Sequence, residues 1–267
     1  MKKNHSIGIV LSGGGVRGIA HLGILQALNE KGIYPDYLSG SSAGAIAAVM
    51  YAYGYKPQEI LDIIVQTNYF KFFKPAISFK ALLKMDRLAD LFKKYLPVDD
   101  FSALKIPTFL AATNILTGQT VYFSEGPIIR RIMASSCIPG MFEPISLDGA
   151  YFVDGGVLNN LPVEPLLDRC QTIIGVNCNH LPELQAIGHV KGLIERTVIL
   201  SMNYNVYSRK HHCDFFIEPP GLASFGVLEI KKAKEIYAAG YAACLEALQD
   251  SPALEALGSK NLDSIKP

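Results

Sequence analysis

No apolar run in this sequence approaches the roughly 18 residues that cross a bilayer as a helix, so a membrane-spanning reading has nothing to start from. No C-x-x-C occurs among the five cysteines (137, 170, 178, 213 and 244). An odd, scattered set points to reduced thiols in the cytoplasm, not to a disulfide frame or a zinc site. Neither charge is in excess: 25 Lys and Arg face 24 Asp and Glu, a net charge of +1. That leaves no electrostatic footprint for nucleic acid. The calcium-loop pattern D-x-[DN]-x-[DN]-G is absent, as are repeats and low-complexity tracts. The first apolar stretch, Ile7 to Leu11, is stopped by Ser12-Gly13-Gly14-Gly15. It is too short for the apolar region of a signal peptide and reads as a strand.

What is present is a chain of 267 residues, 49% hydrophobic, with short apolar runs spread along its length. That is enough to bury a sizeable core. The expected organisation is a single domain over 1–267, with the chemistry-bearing motifs within 7–166, residues 170–250 completing the fold and 251–267 a loosely held tail. Strand and helix signals alternate. A strand at 6–11 precedes a helix from Val16 to Glu30, whose apolar Ile19, Leu22, Ile24, Leu25 and Leu28 keep roughly helical spacing and which Lys31-Gly32 ends. A strand at 37–39 runs into a helix beginning near Ala45. Further helices are expected at 57–65, 80–95, 127–134, 186–209 and 229–249. Strands are expected at 107–113, 119–123, 172–178 and 214–217, and a hairpin at 145–153 turning at Asp148-Gly149. Strand–helix alternation is the signature of an α/β fold with a parallel sheet.

The stretch Gly40-Ser41-Ser42-Ala43-Gly44 fits G-x-S-x-G with Ser42 at its centre. Between a strand and a helix this is the form of a nucleophile elbow. The turn thrusts the serine hydroxyl out, glycines stand where a Cβ would clash, and the following helix dipole favours negative charge nearby. A plain strand-to-helix turn has the same five-residue form. Gly13-Gly14-Gly15-Val16-Arg17-Gly18 fits the dinucleotide fingerprint G-x-G-x-x-G, with Asp36 in reach as a ribose acid. That acid belongs at the end of the second strand, however, and Asp36 begins it. Beside an elbow, the glycine run reads better as an oxyanion loop formed by Gly13, Gly14, Gly15, Arg17 and Gly18, whose backbone N–H groups approach a developing oxyanion. Arg17 either fixes that loop or adds positive potential. Asp154 ends the apolar stretch Ala150 to Val153 and is followed by Gly155-Gly156, at the sheet edge where α/β proteins bind ligands. An Asp-Gly turn is the alternative reading.

Together these motifs resemble the patatin-like phospholipase family. Gly13 to Gly18 is similar to its GGGxRG loop and Gly40 to Gly44 to its GxSxG. Ala134-Ser135-Ser136-Cys137-Ile138-Pro139-Gly140-Met141-Phe142 is similar to the block before its acid, with Cys137 where the family often has a smaller residue. Asp154-Gly155-Gly156, followed by Asn159-Asn160-Leu161-Pro162, is similar to its DGG. The resemblance runs from Ile7 to about Leu166 and fades beyond residue 170. It implies a three-layer α/β/α fold around a mostly parallel sheet. It implies a Ser–Asp dyad, Ser42 as nucleophile and Asp154 as general base, acting on fatty-acyl esters of phospholipids or lysophospholipids with no metal or cofactor. An aspartate of ordinary pKa, near 4, is a weak base at neutral pH, so the site must be desolvated. A histidine triad stays open, with His180 after the strand at 172–178 as one candidate and His21 as the other. A soluble carboxylesterase or thioesterase with the same dyad, and a binding or scaffold protein of this fold, are the rival readings. Tyr69-Phe70-Lys71-Phe72-Phe73-Lys74-Pro75 alternates rings and lysines. It reads either as a peripheral contact with a membrane surface or as a packed helical subdomain with solvated lysines. Headgroup, chain length and oligomeric state leave no mark in the sequence.

Overall fold

In a computed structural model, residues 6–67, 74–75, 83–84, 86–184, 190–227 and 229–264 are described. The strands are β1 (Ile7–Leu11), β2 (Tyr37–Ser41), β3 (Lys74–Pro75), β4 (Leu83–Lys84), β5 (Thr108–Asn114), β6 (Gln119–Phe123), β7 (Ile145–Leu147), β8 (Ala150–Asp154), β9 (Thr172–Val176) and β10 (Phe215–Ile217). The helices are α1 (Ala20–Glu30), α2 (Ala43–Tyr53), α3 (Pro57–Gln66), α4 (Asp86–Tyr95), α5 (Ile128–Ser135), α6 (Val190–Arg209), α7 (Ala233–Asp250) and α8 (Pro252–Ser264). β3 and β4 form a separate antiparallel pair.

In the main sheet, β10, β9, β1, β2 and β5 pair in that order, all parallel, and β6, β7 and β8 extend it antiparallel. Its central strands are buried on both faces, which is why β1 reads as an unbroken apolar run. Ile7, Ile9 and Leu11 point into the larger core with α1, α2, α5 and α7, while Val10 points to the other face with Leu161, Val163, Leu166 and Val206. Helices therefore cover both faces, the expected three-layer arrangement.

Local chemistry sets the ends. Pro57 opens α3, and Glu59 Oε2 accepts the Lys56 N–H at 2.8 Å. Gly54, at φ 118°, closes α2. Asp148 and Gly149, at φ 50° and 79°, make the two-residue turn between β7 and β8.

Several expectations change. The helix expected at 80–95 begins only at Asp86, because Leu83–Lys84 are taken up as β4 in antiparallel pairing with β3. The helix from Val16 starts instead as a 3-10 turn, Gly15–Ile19, because the Val16 N–H donates to the Val227 carbonyl at 2.9 Å. α7 likewise follows a 3-10 turn, Ile230–Lys232. Within the tail expected to be loosely held, Pro252–Ser264 form the helix α8. Its Leu254 is buried and Glu255 pairs with Lys31 at 3.2 Å. Ser251 starts it, its hydroxyl accepting the Leu254 N–H at 3.3 Å. Residues 69–73 of the aromatic–lysine stretch lie outside the described residues. No described helix is long and apolar enough to cross a membrane.

Candidate active site

The site is made where two strands end against each other. β5 is paired along Thr108–Ala111 by β2 and along Ala112–Asn114 by β8, while β6 follows it from Leu110 to Asn114. A strand has two edges, so β2 and β8 share the one that β6 leaves. β2 runs parallel to β5 and β8 antiparallel, so their C-terminal ends meet: Ser41 stands opposite Ala111 and Asp154 opposite Ala112. Two segments more than a hundred residues apart thus deliver Ser42 and Asp154 to one point. Gly155 permits the junction, since a Cβ there would lie 2.3 Å from the Ala111 carbonyl oxygen and 2.7 Å from Ser41 Oγ.

Ser42 sits at φ 53°, ψ −123°, a left-handed φ that side chains rarely adopt. The turn is wedged tight, because a Cβ on Gly44 would lie 2.2 Å from the Leu11 carbonyl oxygen. Ser135 braces it from α5: its hydroxyl donates to the Ala111 carbonyl at 2.7 Å and accepts the Ser42 N–H at 3.0 Å. α2 begins at Ala43, so the positive end of its dipole and the unpaired first-turn N–H groups lie beside Ser42.

Asp154 is almost fully buried. Its backbone is held by Cys137, whose carbonyl accepts the Asp154 N–H at 2.8 Å, and by Thr113, whose hydroxyl donates to the Asp154 carbonyl at 3.0 Å. Burial pushes the carboxyl pKa up to about 6. The Ser42 hydroxyl and the Gly156 N–H, the latter donating to Oδ1 at 2.8 Å, pull it partway back. Oδ2 accepts no aligned hydrogen bond. The Ser42 hydroxyl therefore favours the carboxylate without making an aligned hydrogen bond to Oδ2.

The glycine loop runs against this pair. A Cβ on Gly13 would lie 2.9 Å from Ser42 Cβ. The Gly13 N–H is already taken, donating to Asn160 Oδ1 at 3.0 Å. Ser12 N–H goes to Val176 and Val16 N–H to Val227, so among the described residues Gly14 and Gly15 carry the loop's unengaged amides. Gly15 is at φ 58°, where glycine is favoured. Arg17 Nε donates to the Phe225 carbonyl at 2.7 Å and ties the loop down. Gly18 gives clearance to the elbow, since a Cβ there would lie 2.5 Å from Ala43 Cβ. Of the five loop residues expected to act together, two thus present free N–H groups and three hold the loop in place.

Neither histidine is hydrogen-bonded to Ser42 or Asp154. His21 is fully buried, bonded through Nε2 to the Ser12 carbonyl at 2.7 Å, and burial lowers its pKa to about 4. It is therefore neutral and donates from Nε2. His180 Nδ1 pairs with Glu218 Oε2 at 3.4 Å. The residues that sequence reasoning missed are the supports. Asn160 grips Gly13, and Asn179 Nδ2 donates to the Gly13 carbonyl. Asn203 Nδ2 donates to the Asn179 carbonyl at 2.7 Å. Asn177 and Asn179 follow β9 at the ligand-binding sheet edge, a position that could have flagged them. Among the described residues no His/Cys/Asp/Glu group could hold a metal ion.

The family model for patatin-like phospholipase matches residues 9–167. An uncharacterized NTE family protein of Mycobacterium tuberculosis is 33% identical over 162 residues, 60% of this chain and 45% of its own length. Lysophospholipase NTE1 of Candida glabrata is 30% identical over 219 residues, 76% of this chain and 12% of its own. The chain thus spans less than half the length of either relative. Among solved structures, VipD from Legionella pneumophila aligns with a TM-score of 0.52 at 16% identity, covering 92% of this chain and 67% of that one. A chain of the ExoU–SpcU complex from Pseudomonas aeruginosa aligns at 0.50 and 19% identity, covering 93% and 52%. At these identities the likeness is one of fold.

Proposed function

The chain belongs to the patatin-like phospholipase family, and on that premise we propose that it is a lipid acyl hydrolase cleaving fatty-acyl esters of phospholipids or lysophospholipids through Ser42 and Asp154. The observation that carries this is the meeting of β2 and β8 on β5, which sets a strained, dipole-facing serine beside a buried carboxylate of raised pKa. Supporting it, one relative's name is lysophospholipase NTE1.

Ser42 Oγ attacks the ester carbonyl carbon as its proton passes to Asp154. Against a free aspartate, a pKa near 6 makes the carboxylate a stronger base by about two units while leaving it ionised at neutral pH. The N–H groups of Gly14, Gly15 and Ala43 are the donors for the tetrahedral oxyanion, each worth roughly 3–4 kcal/mol in such sites. Collapse expels the alcohol, which takes the proton from Asp154, and leaves an acyl-serine. Water then gives a proton to Asp154 and attacks the acyl carbon. The fatty acid leaves and the proton returns to Ser42. We place the protein in the cytoplasm, in keeping with its five free cysteines, four of them buried.

The test is fluorophosphonate labelling, together with mass spectrometry of lipid products, for wild type, Ser42→Ala and Asp154→Asn. Label and fatty-acid release on wild type, both lost in Ser42→Ala, are expected. A wild type that takes no label would favour a scaffold. Turnover of short p-nitrophenyl esters without turnover of phospholipid would make it a soluble esterase.

A further inference from the structure

α6 is apolar on both of its sides, and only one is covered. Its inward stripe, Ile199, Asn203 and Val206, has the i, i+4, i+7 spacing of one helix face and is buried. That side belongs to the site: Asn203 holds the Asn179 carbonyl, and Met202 Cε lies 3.1 Å from where a Cβ on Gly156 would stand, two residues from Asp154. The outward side carries Val190, Leu193, Ile194, Val198, Leu200 and Tyr204, with Val190 73% and Tyr204 80% exposed. At about 100° per residue these six span roughly half the circumference, opposite the buried stripe. Single exposed apolar residues are ordinary, whereas six on one side of a helix between Val190 and Tyr204, with the small polar Thr197 and Ser201 among them, mark a contact surface.

We infer that the outward face of α6 is the surface by which this protein seats on an anionic lipid bilayer. The inference rests on the lipid-ester reading above. Charge selects the occupant. Residues 190–212 hold four Lys or Arg (Lys191, Arg196, Arg209, Lys210) against one acid, Glu195, in a chain whose net charge is only +1. Arg209 is engaged by Glu164, Arg196 donates to the Pro182 carbonyl, and at the helix's end Lys210 stands exposed over the Phe216 ring beside exposed His211 and His212. Aliphatic side chains along the helix, a tyrosine toward its C-terminal end and cationic ends are the composition that settles at the depth of lipid headgroups. A second copy docking on the same face would bring two net-positive helices together, an arrangement that electrostatics opposes. With α6 in the interface, the Asp154–Gly156 turn lies about one helix diameter, ~10 Å, from the lipid, within the reach of an acyl chain.

The experiment uses wild type and Ile194→Asp/Tyr204→Asp, both positions being exposed and outside the site, with circular dichroism and melting to check the fold. Each is sedimented with phosphatidylcholine–phosphatidylglycerol vesicles and with phosphatidylcholine vesicles, and assayed on vesicles and on a short p-nitrophenyl ester. Wild type is expected to bind the mixed vesicles at least tenfold more strongly than the neutral ones. The variant is expected to lose at least tenfold in binding and to slow in parallel on vesicles, while the short ester turns over as before. Equal vesicle binding by variant and wild type overturns the inference. So does a wild-type dimer, split by the variant in sedimentation velocity, that ignores vesicles. Wild type that binds vesicles through this face but hydrolyses neither substrate would sink the hydrolase reading and leave the surface standing.

Discussion

Asn160 holds Gly13 by both of its polar backbone groups, accepting the N–H at 3.0 Å through Oδ1 and donating to the carbonyl from Nδ2 at 3.3 Å. One side chain from the segment after Asp154 thereby fixes the glycine loop beside Ser42. Asn160→Ala leaves the buried Gly13 N–H without its acceptor, a loss of about 1–3 kcal/mol in stability. It also loosens the loop at the Gly13 amide, though Asn179 and Arg17 still hold it, so kcat should fall by at least tenfold with a smaller change in KM. Asn160→Asp keeps an acceptor but removes the donor. The expected order of kcat is wild type, then Asp, then Ala, read beside urea midpoints. A drop in stability with kcat unchanged would show that the clamp holds the fold and not the loop's aim.

Burial gives Asp154 two opposed pH signatures. A base must be ionised, so kcat/KM should climb with unit slope to a bend near pH 6 and then level. Stability should move the other way. The folded carboxyl, at about 6, binds its proton more tightly than an unfolded aspartate at about 3.9. Stability contributed by this group therefore falls as pH rises from about 4 to 6, by on the order of 3 kcal/mol. Asp154→Asn removes the buried charge. Activity should drop roughly 10²–10⁴-fold, while the melting temperature at pH 8 should equal or exceed that of wild type. An acid limb bending near pH 4 would contradict the desolvated carboxylate.

Much of this was legible because the signals are local. β1 is an unbroken apolar run, the elbow and the glycine loop are punctuated by glycine, and Asp148-Gly149 names its own hairpin. The meeting of Ser42 with Asp154 was not local. It depends on β8 taking over the β5 edge where β2 ends, and no periodicity in either strand encodes that register. Motif order along the chain stood in for it. The loop's division of labour was equally hidden, since only tertiary placement puts Asn160 on the Gly13 N–H and Phe225 on Arg17. The helix at Pro252–Ser264 was hidden for another reason. Ser251-Pro252 is a sound helix start, but partners that hold α8, Lys31 and the core around Leu254 among them, are distant in sequence.

The histidines separate a dyad from a triad. His180→Gln should leave kcat/KM within a few-fold of wild type, because its partner is Glu218. Removing a true general base costs roughly 10²–10⁴-fold. His21 acts on stability. Its folded pKa of about 4 lies below the unfolded 6.5, so stability present above pH 6.5 is lost as pH falls toward 4, again on the order of 3 kcal/mol. His21 and Asp154 oppose each other between pH 4 and 6, and wild type should show a flat profile there. Asp154→Asn should tilt it upward with pH, and His21→Gln, which keeps a donor for Ser12, should tilt it downward. Chemical denaturation across that range reads all three.

The strain at Ser42 can be measured by removing the hydroxyl in two ways. Ser42→Ala keeps a Cβ at φ 53°, ψ −123°, whereas Ser42→Gly does not. Strained backbone of this kind costs about 1–3 kcal/mol. Glycine relieves it, but loses roughly 0.5–1 kcal/mol to the greater freedom of the unfolded chain. Ser42→Gly should therefore unfold about 1 kcal/mol higher than Ser42→Ala, with both variants inert to fluorophosphonate. Equal stability, or a more stable alanine variant, would mean that the elbow is relaxed. The position of the hydroxyl would then owe nothing to strain stored in the backbone at Ser42.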